Sequence, residues 1–420
     1  MERVTADYLL ETPFPPEDVA AMMAGEQSSG TFVRVAGETD ELRARSAAQV
    51  LSVEDMGEIP APSLASAYID RKGAPGPVRR ARVRIAFPVG NIGRNLPTLA
   101  ATVSGNLYDL GEVTGLKLMS LTLPPAYRAR YPLPAQGITG TRESLGTEGR
   151  PIFGTIIKPN VGLRPVEIAA LVADLCAAGV DFIKDDEVCA NPDIAPLNER
   201  VPLVMDAIKR AEDTSGRRVM MAFNITDETD AMRRHADLVA ENGGTCVMAS
   251  LNWCGLSGME TLRAHTPLAI HGHRNGFGAM NRHPVLGMAF PAYQALYRLA
   301  GVDHMHVHGI GGKFVDSADD VTEAARACLA PLAEGADDRV LPAFSSGQWA
   351  GTLGSALEAA GGADLMFMCG GGILAHPHGP AAGVASLHEA YDALSAGEDL
   401  SAARASRPAL AAALDTFGQR

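Results

Sequence analysis

Short apolar runs alternate with amphipathic segments along the chain after about residue 150. Such runs are typical of buried strands, and segments with apolar residues at helical spacing are typical of the helices that cover them. Eight runs, each followed by a helical segment, favour a closed parallel barrel over an open sheet. The Gly-x-Gly-x-x-Gly turn of a doubly wound sheet is absent after the first run. The runs are Ile152–Ile157, Phe182–Lys184, Val219–Asn224, Cys246–Ser250, Leu268–His271, His304–Val307, Val340–Phe344 and Leu365–Met368.

Helical spacing of apolar residues is clear in seven segments between or after these runs. They are Pro165–Ala178, Glu199–Ala211, Glu228–Asn242, Tyr293–Ala300, Ala318–Ala327, Leu353–Ala360 and Gly383–Ala393. The same spacing predicts one final helix over Ala402–Leu414.

The chain before about residue 135 has a less regular pattern. Alternating polar and apolar residues predict a strand over Arg79–Phe87, and helical spacing predicts short helices over Asp18–Ala24 and Pro97–Val103. These elements indicate a small α+β domain with an antiparallel sheet. A stretch rich in proline and glycine, Leu123–Gly140, links it to the barrel. We therefore predict two domains, at residues 1–134 and 135–420.

Composition and charge narrow the class of protein. The formal net charge of −13 argues against nucleic acid or an anionic membrane as the main partner, but local cations can still bind a small anionic substrate. The six cysteines form no C-x-x-C pair, which favours reduced thiols. The first residues do not resemble a signal peptide, and no apolar run is long enough to span a membrane. These features predict a cytoplasmic enzyme or binding protein.

Polar residues follow the predicted strands at their carboxyl ends, where barrel enzymes place their chemistry. They are Lys158, Lys184–Glu187, Asn224, His271–Arg274, His304–His306, the loop that ends in Lys313, Ser345–Gly347 and Gly370–Gly372.

Lys184, Asp186 and Glu187 indicate a metal site or an ion pair. Alternate residues of a strand share a face, so Lys184 and Asp186 are expected to point together into the barrel mouth, with Glu187 at the strand end. Two carboxylates suit Mg²⁺, although a third protein oxygen would be expected. An ion pair between Lys184 and the acids is the alternative, and the residues alone leave it open.

Other residues at this end suit acid–base chemistry and anion binding. His273, Arg274 and His306 can act as a base or an anion clamp, while His271 and His304 are interpreted as structural. Lys158 and Lys313 are either functional or solvated surface lysines, and the glycine-rich loop around Lys313 favours a functional role there.

Two glycine-rich segments predict a phosphate site. Barrels often bind phosphate with the loops after strands seven and eight, where glycine lets backbone N–H groups approach the oxyanion. Ser345-Ser-Gly347 and Gly370-Gly-Gly372 lie at those places. Tight turns that need a positive φ are the alternative explanation. The combination favours a phosphorylated substrate.

These motifs, in this order, resemble the large subunit of ribulose bisphosphate carboxylase (RuBisCO). The resemblance covers nearly the whole chain and is carried by Gly179–Glu187, Thr155–Pro159, His271–Arg274, Ser345–Gly347, Gly370–Gly379, Glu26–Phe32 and Gly105-Asn106. It implies a (β/α)8 TIM barrel preceded by a small α+β ferredoxin-like N-terminal domain. It also implies a homodimer whose subunits share their active sites.

The resemblance implies a role for each matching residue. Lys184 would be carbamylated by CO₂ and would bind Mg²⁺ together with Asp186 and Glu187, and its carbamate would act as a base. Lys158 would move protons to a carbon intermediate, and His273 would be a further acid or base. These roles favour the metal site over the ion pair.

The remaining matches would bind substrate. They are Glu26, Thr31, Asn106, Arg274, His306, Ser345, Gly347, Gly370 and Gly371, with Lys313 as a clamp for a carboxylate or oxyanion. Arg274 and His306 would hold the distal anionic end. Thr31 and the glycines would hold phosphate, Asn106 the metal-bound substrate oxygens, and Glu26 would orient Lys313 from the neighbouring subunit.

Departures from the carboxylase pattern point to a RuBisCO-like protein. Asn160 replaces a second lysine, Phe277 a histidine and Phe32 a tryptophan, and the residues around Lys313 also differ. The distal pocket is therefore expected to be less cationic, which disfavours a bisphosphate substrate and carbon fixation.

The resemblance implies an enzyme of apiose breakdown. We expect Mg²⁺-dependent cleavage of a C–C bond in 3-oxo-isoapionate 4-phosphate, as a transcarboxylase/hydrolase that gives 3-phosphoglycerate and glycolate through an enediolate. Retention of Lys158 and Lys313 favours cleavage over simple enolisation. The alternatives are a decarboxylase of the same substrate, a methylthio-sugar phosphate enolase or isomerase, and a non-catalytic binding or regulatory protein.

Overall fold

Residues 2–30 and 35–418 are described by the computed structural model, and they pack as two units. The first unit comprises residues up to Pro132 with Gly276–Ala300 and Pro331–Asp337; the second comprises Leu133–Asn275, Gly301–Ala330 and the segment from Asp338. The division into domains at 1–134 and 135–420 remains our proposal. Within the described residues, no helix combines the length and apolar character needed to cross a membrane.

The described residues contain thirteen strands and nineteen α-helices. The strands are β1 (Arg3–Thr12), β2 (Gln49–Glu58), β3 (Arg79–Pro88), β4 (Gly115–Thr122), β5 (Ile152–Ile156), β6 (Phe182–Lys184), β7 (Met220–Asn224), β8 (Cys246–Ser250), β9 (Ala269–His273), β10 (Leu286–Met288), β11 (His304–His306), β12 (Leu341–Phe344) and β13 (Met366–Met368).

The helices are α1 (Pro16–Glu26), α2 (Asp40–Ser46), α3 (Ala67–Lys72), α4 (Val89–Ile92), α5 (Leu96–Ser104), α6 (Pro125–Arg128), α7 (Gly137–Leu145), α8 (Pro165–Ala178), α9 (Leu197–Ser215), α10 (Thr229–Glu241), α11 (Leu251–His265), α12 (Gly278–Asn281), α13 (Phe290–Leu299), α14 (Ala318–Leu329), α15 (Leu353–Ala360), α16 (Gly370–Leu374), α17 (Gly379–Ser395), α18 (Leu400–Ala403) and α19 (Pro408–Phe417). Short 3₁₀ helices occupy Asn106–Asp109 and Ala350–Thr352.

The first unit is built on a five-stranded sheet in the order β10-β4-β1-β3-β2. Pairing is antiparallel except between β10 and β4, which run parallel. Alternate residues of β1, including Val4, Tyr8 and Leu10, are buried because one face of the sheet is covered and the other faces outward. The predicted antiparallel sheet is confirmed, although the sequence analysis located only β3 of its strands.

The second unit contains a closed barrel of eight parallel strands in the order β5-β6-β7-β8-β9-β11-β12-β13. Each strand corresponds to one of the eight predicted apolar runs, so the predicted TIM barrel is confirmed. Side chains such as Phe182, Met248 and Met366 form a cluster of fully or almost fully buried residues. Filling of the interior by large side chains makes the barrel a packed core, so its chemistry is confined to the strand ends.

Two regions of the second unit show how the observed helices depart from the predicted ones. The helix after β8, α11, was not located from the sequence, because Gly255 interrupts it with a φ of 69° and weakens the helical pattern. The single helix predicted over Ala402–Leu414 is wrong: α18 ends at Ala403 and α19 begins at Pro408. Proline fits the first turn of a helix but disfavours helical backbone in the residue before it, so the chain breaks there.

Candidate active site

The predicted site residues of the second unit lie at the carboxyl ends of the barrel strands. They are Lys158 after β5, Lys184–Glu187 at and after β6, His273 and Arg274 at and after β9, His306 at the end of β11, Lys313 in the following loop, Ser345 and Gly347 after β12, and Gly370 and Gly371 after β13. The strands of a closed parallel barrel all end on one face, so these groups lie together at the carboxyl-terminal mouth of the barrel.

Lys184 is a buried cation with few partners. Its side chain is 1% exposed, and its Nζ donates to the carbonyl oxygen of Asp185 at 2.8 Å and lies 3.8 Å from Glu187 Oε2. Burial lowers the pKa of Lys184, against the opposing effect of the neighbouring carboxylates. The neutral amine, which is the nucleophilic form, is therefore more accessible than in an exposed lysine.

Asp186 lies between Lys184 and a second lysine. Lys158 Nζ donates to Asp186 Oδ2 and to Asn160 Oδ1, each at 2.7 Å. The Asp186 side chain is 2% exposed, whereas that of Lys158 is 40% exposed. The backbone carbonyl of Asp186 accepts a hydrogen bond from Asn224 Nδ2 at 3.0 Å. The structure thus joins the ends of β5, β6 and β7 through one carboxylate residue.

Asp185 faces away from this group and anchors it. Its Oδ2 lies 3.0 Å from the guanidinium of Arg200 on α9 and accepts from the backbone N–H of Asn224 at 2.9 Å. Burial raises the pKa of Asp185, and Arg200 is the largest opposing effect. The sequence analysis missed Arg200, because a helix residue that reaches back to a strand end leaves no local signal.

The donor set at Lys184 fits Mg²⁺ only when the lysine supplies an oxygen. Among the described residues, no group of three or more His, Cys, Asp or Glu side chains is placed to hold a metal ion. Asp186 and Glu187 provide two hard carboxylates, and a protonated amine would repel a cation. A buried amine with a lowered pKa can accept CO₂, and the resulting carbamate would provide the third oxygen. The residues present therefore fit Mg²⁺ together with a carbamylated Lys184.

Histidines from two neighbouring strands form a buried chain. His271 Nε2 lies 2.8 Å from His306 Nε2, and His306 Nδ1 lies 2.9 Å from Ser345 Oγ. Burial lowers the pKa of both histidines well below the usual value, so both are neutral at physiological pH. The sequence analysis interpreted His271 as structural, and it missed this direct contact. His304 packs edge-on against the His271 ring, with the centroids 5.6 Å apart, and its Nε2 lies 2.7 Å from Thr141 Oγ1.

His273 faces the predicted metal ligands. Its Nδ1 accepts from the backbone N–H of Asn275 at 3.2 Å, and its Nε2 lies 3.5 Å from Glu187 Oε2. Burial lowers the pKa of His273 well below its usual value. The neutral imidazole therefore carries its proton on Nε2, and His273 presents a hydrogen-bond donor to the site.

Arg274 is paired with a carboxylate from the loop that carries Lys313. Its guanidinium lies 2.8 Å from Asp316 Oδ2, and His308 Nδ1 contacts the same oxygen. Lys313 itself is exposed, with Nζ 5.3 Å from the centroid of the Phe314 ring. The sequence analysis missed Asp316 and His308, whose pairing depends on the path of the loop.

The two predicted phosphate loops have different local geometries. Gly347 has a φ of 72°, and a Cβ there would lie 3.5 Å from the Cα of Gly312 in the Lys313 loop. Gly370 and Gly371 begin the short helix α16, and a Cβ on Gly371 would meet no atom within 4 Å. Gly371 is thus exposed on the side where a Cβ would stand, whereas Gly347 lies against another loop.

Residues predicted to serve a partner's site lie in the first unit. Asn106 Nδ2 donates to Glu26 Oε1 at 3.4 Å, so the structure brings these two together. Thr31 and Phe32 lie outside the described residues. The roles of all three predicted substrate ligands in this unit, Glu26, Thr31 and Asn106, remain predictions.

Phe277, where the carboxylase pattern has histidine, is almost fully buried. Its ring centroid lies 4.4 Å from that of Tyr293 and 5.9 Å from that of Phe290. It therefore contributes to an aromatic cluster in the first unit.

All six cysteines are free thiols, of which five are buried and Cys254 is partly exposed.

Comparison with known proteins assigns the family. Residues 137–417 match the ribulose bisphosphate carboxylase large chain, catalytic domain, and residues 6–127 match the N-terminal domain of the same chain. The chain belongs to the RuBisCO large-chain family, which confirms the resemblance stated from the motifs.

The relatives include RuBisCO-like proteins and enzymes that share one named substrate. The crystal structure of a RuBisCO-like protein from Burkholderia fungorum is 58% identical, with a TM-score of 0.95 over 99% of this chain and 100% of that chain. A 3-oxo-isoapionate-4-phosphate transcarboxylase/hydrolase from Xanthobacter autotrophicus is 46% identical, over 98% of this chain and 99% of that protein. A 3-oxo-isoapionate-4-phosphate decarboxylase from Rhizobium rhizogenes is 41% identical, over 99% and 98% respectively.

Proposed function

We propose that this chain is a Mg²⁺-dependent transcarboxylase/hydrolase that converts 3-oxo-isoapionate 4-phosphate to 3-phosphoglycerate and glycolate. One observation carries the proposal: Lys184, Asp186, Glu187 and Lys158 form a single charged cluster at the barrel mouth. Full-length similarity to a relative named for this substrate supports the specific reaction.

The proposed reaction moves one carboxylate before it cleaves the carbon chain. Loss of CO₂ leaves an enediolate, and CO₂ adds back at the neighbouring carbon. Water then adds to the new carbonyl, the bond between the two carbons breaks, and the electron pair stays on the carbon that becomes C2 of 3-phosphoglycerate. That carbon takes a proton. When bound at Lys184, Asp186 and Glu187, Mg²⁺ would stabilise the negative charge that develops on the substrate oxygens.

In this proposal, Lys158 donates the final proton. Its Nζ is held by Asn160 Oδ1 and Asp186 Oδ2, yet its side chain is 40% exposed. The ammonium group therefore reaches from the buried cluster toward the open mouth. A positioned proton donor of this kind typically contributes about 10²- to 10⁴-fold to a rate.

His273 and Lys313 have complementary roles in the proposal. His273 Nε2–H can donate to a substrate oxygen, because Nδ1 already accepts from Asn275. Lys313 is exposed on a glycine-rich loop, from which it can clamp the carboxylate while CO₂ is lost and regained. Backbone N–H groups at Gly370 and Gly371 would hold the single phosphate.

The predicted shared active sites also belong to this proposal. Glu26 and Asn106 of one subunit would complete the site of the other in a homodimer, together with Thr31. The enzyme would act in the cytoplasm, on a small phosphorylated sugar acid, without nucleic acid or membrane as a partner.

The proposal is tested by ³¹P and ¹³C NMR of the enzyme with Mg²⁺, bicarbonate and 3-oxo-isoapionate 4-phosphate. We expect 3-phosphoglycerate and glycolate, with label from a ¹³C-carboxylate substrate in the carboxylate of 3-phosphoglycerate. Lys158→Met should slow product formation by about 10²-fold or more, whereas Lys209→Met, which removes an exposed lysine on α9, should leave it unchanged. The absence of any change in substrate would refute the assignment.

Decarboxylation of the same substrate is the second candidate, favoured by the 41% identical relative. It shares the first step and differs in its fate, because the enediolate is protonated before CO₂ can add back. A tetrulose phosphate and CO₂ in the same NMR experiment would establish it.

Exchange of a methylthio-sugar phosphate proton with D₂O, without cleavage, would instead establish an enolase or isomerase. The binding-protein alternative predicts neither turnover nor Mg²⁺ binding after incubation with CO₂.

A further inference from the structure

Asp316, in the loop that carries Lys313, forms an ion pair with Arg274, which directly follows β9. Asp316 Oδ2 lies 2.8 Å from the Arg274 guanidinium and also contacts His308 Nδ1. The side chains of Arg274 and Asp316 are 4% and 14% exposed. A positive charge that could bind an anionic end of a substrate is thus already matched by an anion from the same chain.

The backbone of the loop holds Asp316 in this place. His308 adopts a left-handed conformation with a φ of 67°, which is uncommon for a residue with a side chain. A Cβ on Gly309 would lie 2.0 Å from Gln348 Nε2, and one on Gly312 would lie 2.4 Å from the carbonyl oxygen of Ser346. Glycine at both positions lets the loop pack directly on the loop after β12, and this packing fixes where Asp316 emerges.

We propose that Asp316 is a specificity-determining residue, which neutralises Arg274 and so restricts the substrate to one phosphate. The inference rests on the proposed function for the identity of the substrate, but its physical basis is independent of the reaction. A phosphate dianion brought to Arg274 would also approach the Asp316 carboxylate, and like charges in a buried site oppose binding. A substrate end without a second phosphate avoids this repulsion.

The protonation states agree with this role. The hydrogen bond from His308, followed by the charge of Arg274, holds the pKa of Asp316 below its usual value. Burial lowers the pKa of His308, so this histidine adds no full positive charge at neutral pH. Arg274 and Asp316 together carry no net charge, and removal of the Asp316 carboxylate would leave this pair of positions with a positive charge.

The test compares two ligands that differ by one phosphate, ribulose 5-phosphate and ribulose 1,5-bisphosphate. Their dissociation constants are measured by titration calorimetry on the full chain with Mg²⁺ and bicarbonate, and ³¹P NMR checks that neither ligand is consumed. Wild-type protein should bind the bisphosphate no more tightly than the monophosphate. Asp316→Asn should increase bisphosphate affinity by about tenfold or more, with little change for the monophosphate.

Three variants serve as controls. Asp319→Asn makes the same change of charge at an exposed position on α14 and should leave both affinities unchanged. Asp316→Glu keeps the charge and should keep the discrimination. Arg274→Met in addition to Asp316→Asn should abolish the gain, because the gain depends on the guanidinium charge of Arg274.

Several outcomes would overturn the inference. The inference would be wrong if the wild-type protein bound the bisphosphate at least tenfold more tightly than the monophosphate. This result needs no variant, so it would count even if Asp316→Asn did not fold. An unchanged ratio in folded Asp316→Asn, or no bisphosphate binding to any variant, would also overturn the inference. Because binding is measured without turnover, a shifted ratio would stand even if 3-oxo-isoapionate 4-phosphate were not a substrate.

Discussion

The two ends of the barrel both bury charged side chains, but these side chains differ in how many hydrogen-bond partners they have. At the amino end, Asp303 accepts from the backbone N–H groups of Gln136, Gly137 and Ile270 at 2.6 to 2.9 Å and pairs with Arg263 at 3.0 Å. At the carboxyl end, the ammonium of Lys184 donates to one carbonyl at 2.8 Å and to the weak acceptor Met248 Sδ at 3.6 Å, and a carboxylate lies at 3.8 Å.

This difference separates stability from chemistry. A buried charge with a full set of hydrogen bonds supports the fold, because removal of it would leave its buried partners unpaired. A buried charge with few partners is strained in its protonated form, and its pKa shifts toward the neutral form. The mouth therefore holds reactive groups, and the amino end holds the strands in place.

Replacement of Lys184 should have the largest effect on activity. Lys184→Met removes the group that would complete the metal site, and we expect the rate of substrate cleavage to fall by about 10³-fold or more. The thermal midpoint in EDTA without bicarbonate should stay the same or rise, because a buried cation is replaced by an apolar side chain. Lys209→Met is the control for loss of a lysine. Loss of stability without loss of rate would contradict the comparison.

Replacement of Asp303 should have the opposite pattern. Asp303→Ala leaves Arg263 buried without its carboxylate and three backbone donors without their acceptor, so we expect unfolding to become easier by about 3–5 kcal/mol. The rate per folded molecule should be nearly unchanged. Urea unfolding measures the first quantity and active-site-normalised turnover the second, with exposed Asp319→Ala as the control. A loss of rate equal to that of Lys184→Met would show that the two ends are not functionally distinct.

Stability should fall as the pH is lowered from about 6.5 toward 4. Burial lowers the pKa of His304 to about 4, against the opposing effect of Asp303. In this window the unfolded chain binds a proton that the native chain does not, so each such histidine costs about 1.4 kcal/mol per pH unit. His304→Gln should reduce the slope of unfolding free energy between pH 6.5 and 5, as measured by urea unfolding. An unchanged slope would mean that His304 is charged in the folded protein.

The smallest expected effect concerns the hydrogen bond from Lys158 to Asn160. Asn160→Ala should lower kcat by up to about tenfold, since one hydrogen bond contributes about 0.5–1.5 kcal/mol and Lys158 would lose its position. KM and the thermal midpoint should change little, because Asn160 is exposed. Asn160→Asp, which keeps an acceptor, should restore most of the rate. A change in KM alone would assign Asn160 to substrate binding.

Much of the fold could be predicted because the local spacing of apolar residues differs between strands and helices. All eight apolar runs became barrel strands, since near-continuous apolar residues can only be buried between helices and the barrel interior. Helix boundaries and kinks were harder to predict, because the break before Pro408 and the kink at Gly255 depend on single residues within otherwise helical patterns.

The candidate site was predictable where strand order alone brings residues together. Lys158 and Asp186 lie at the ends of neighbouring strands, so their contact follows from the barrel. The contacts of Asp185 with Arg200 and of His271 with His306 required the packing of α9 and the pairing of β9 with β11. The domain boundary and the catalytic and substrate-binding roles remain predictions.

The sequence by itself determined the family, the barrel and the end at which its reactive groups gather, because the spacing of apolar residues and the order of the motifs are properties of the sequence. Only the tertiary structure decided which charges are satisfied. Lys184 is the last residue of one buried strand and Asp303 directly precedes another, and nothing in their local sequence distinguishes their surroundings. The number of hydrogen-bond donors and acceptors that reach each one is set by distant segments, and that number decides whether a buried charge supports the fold or remains available for chemistry.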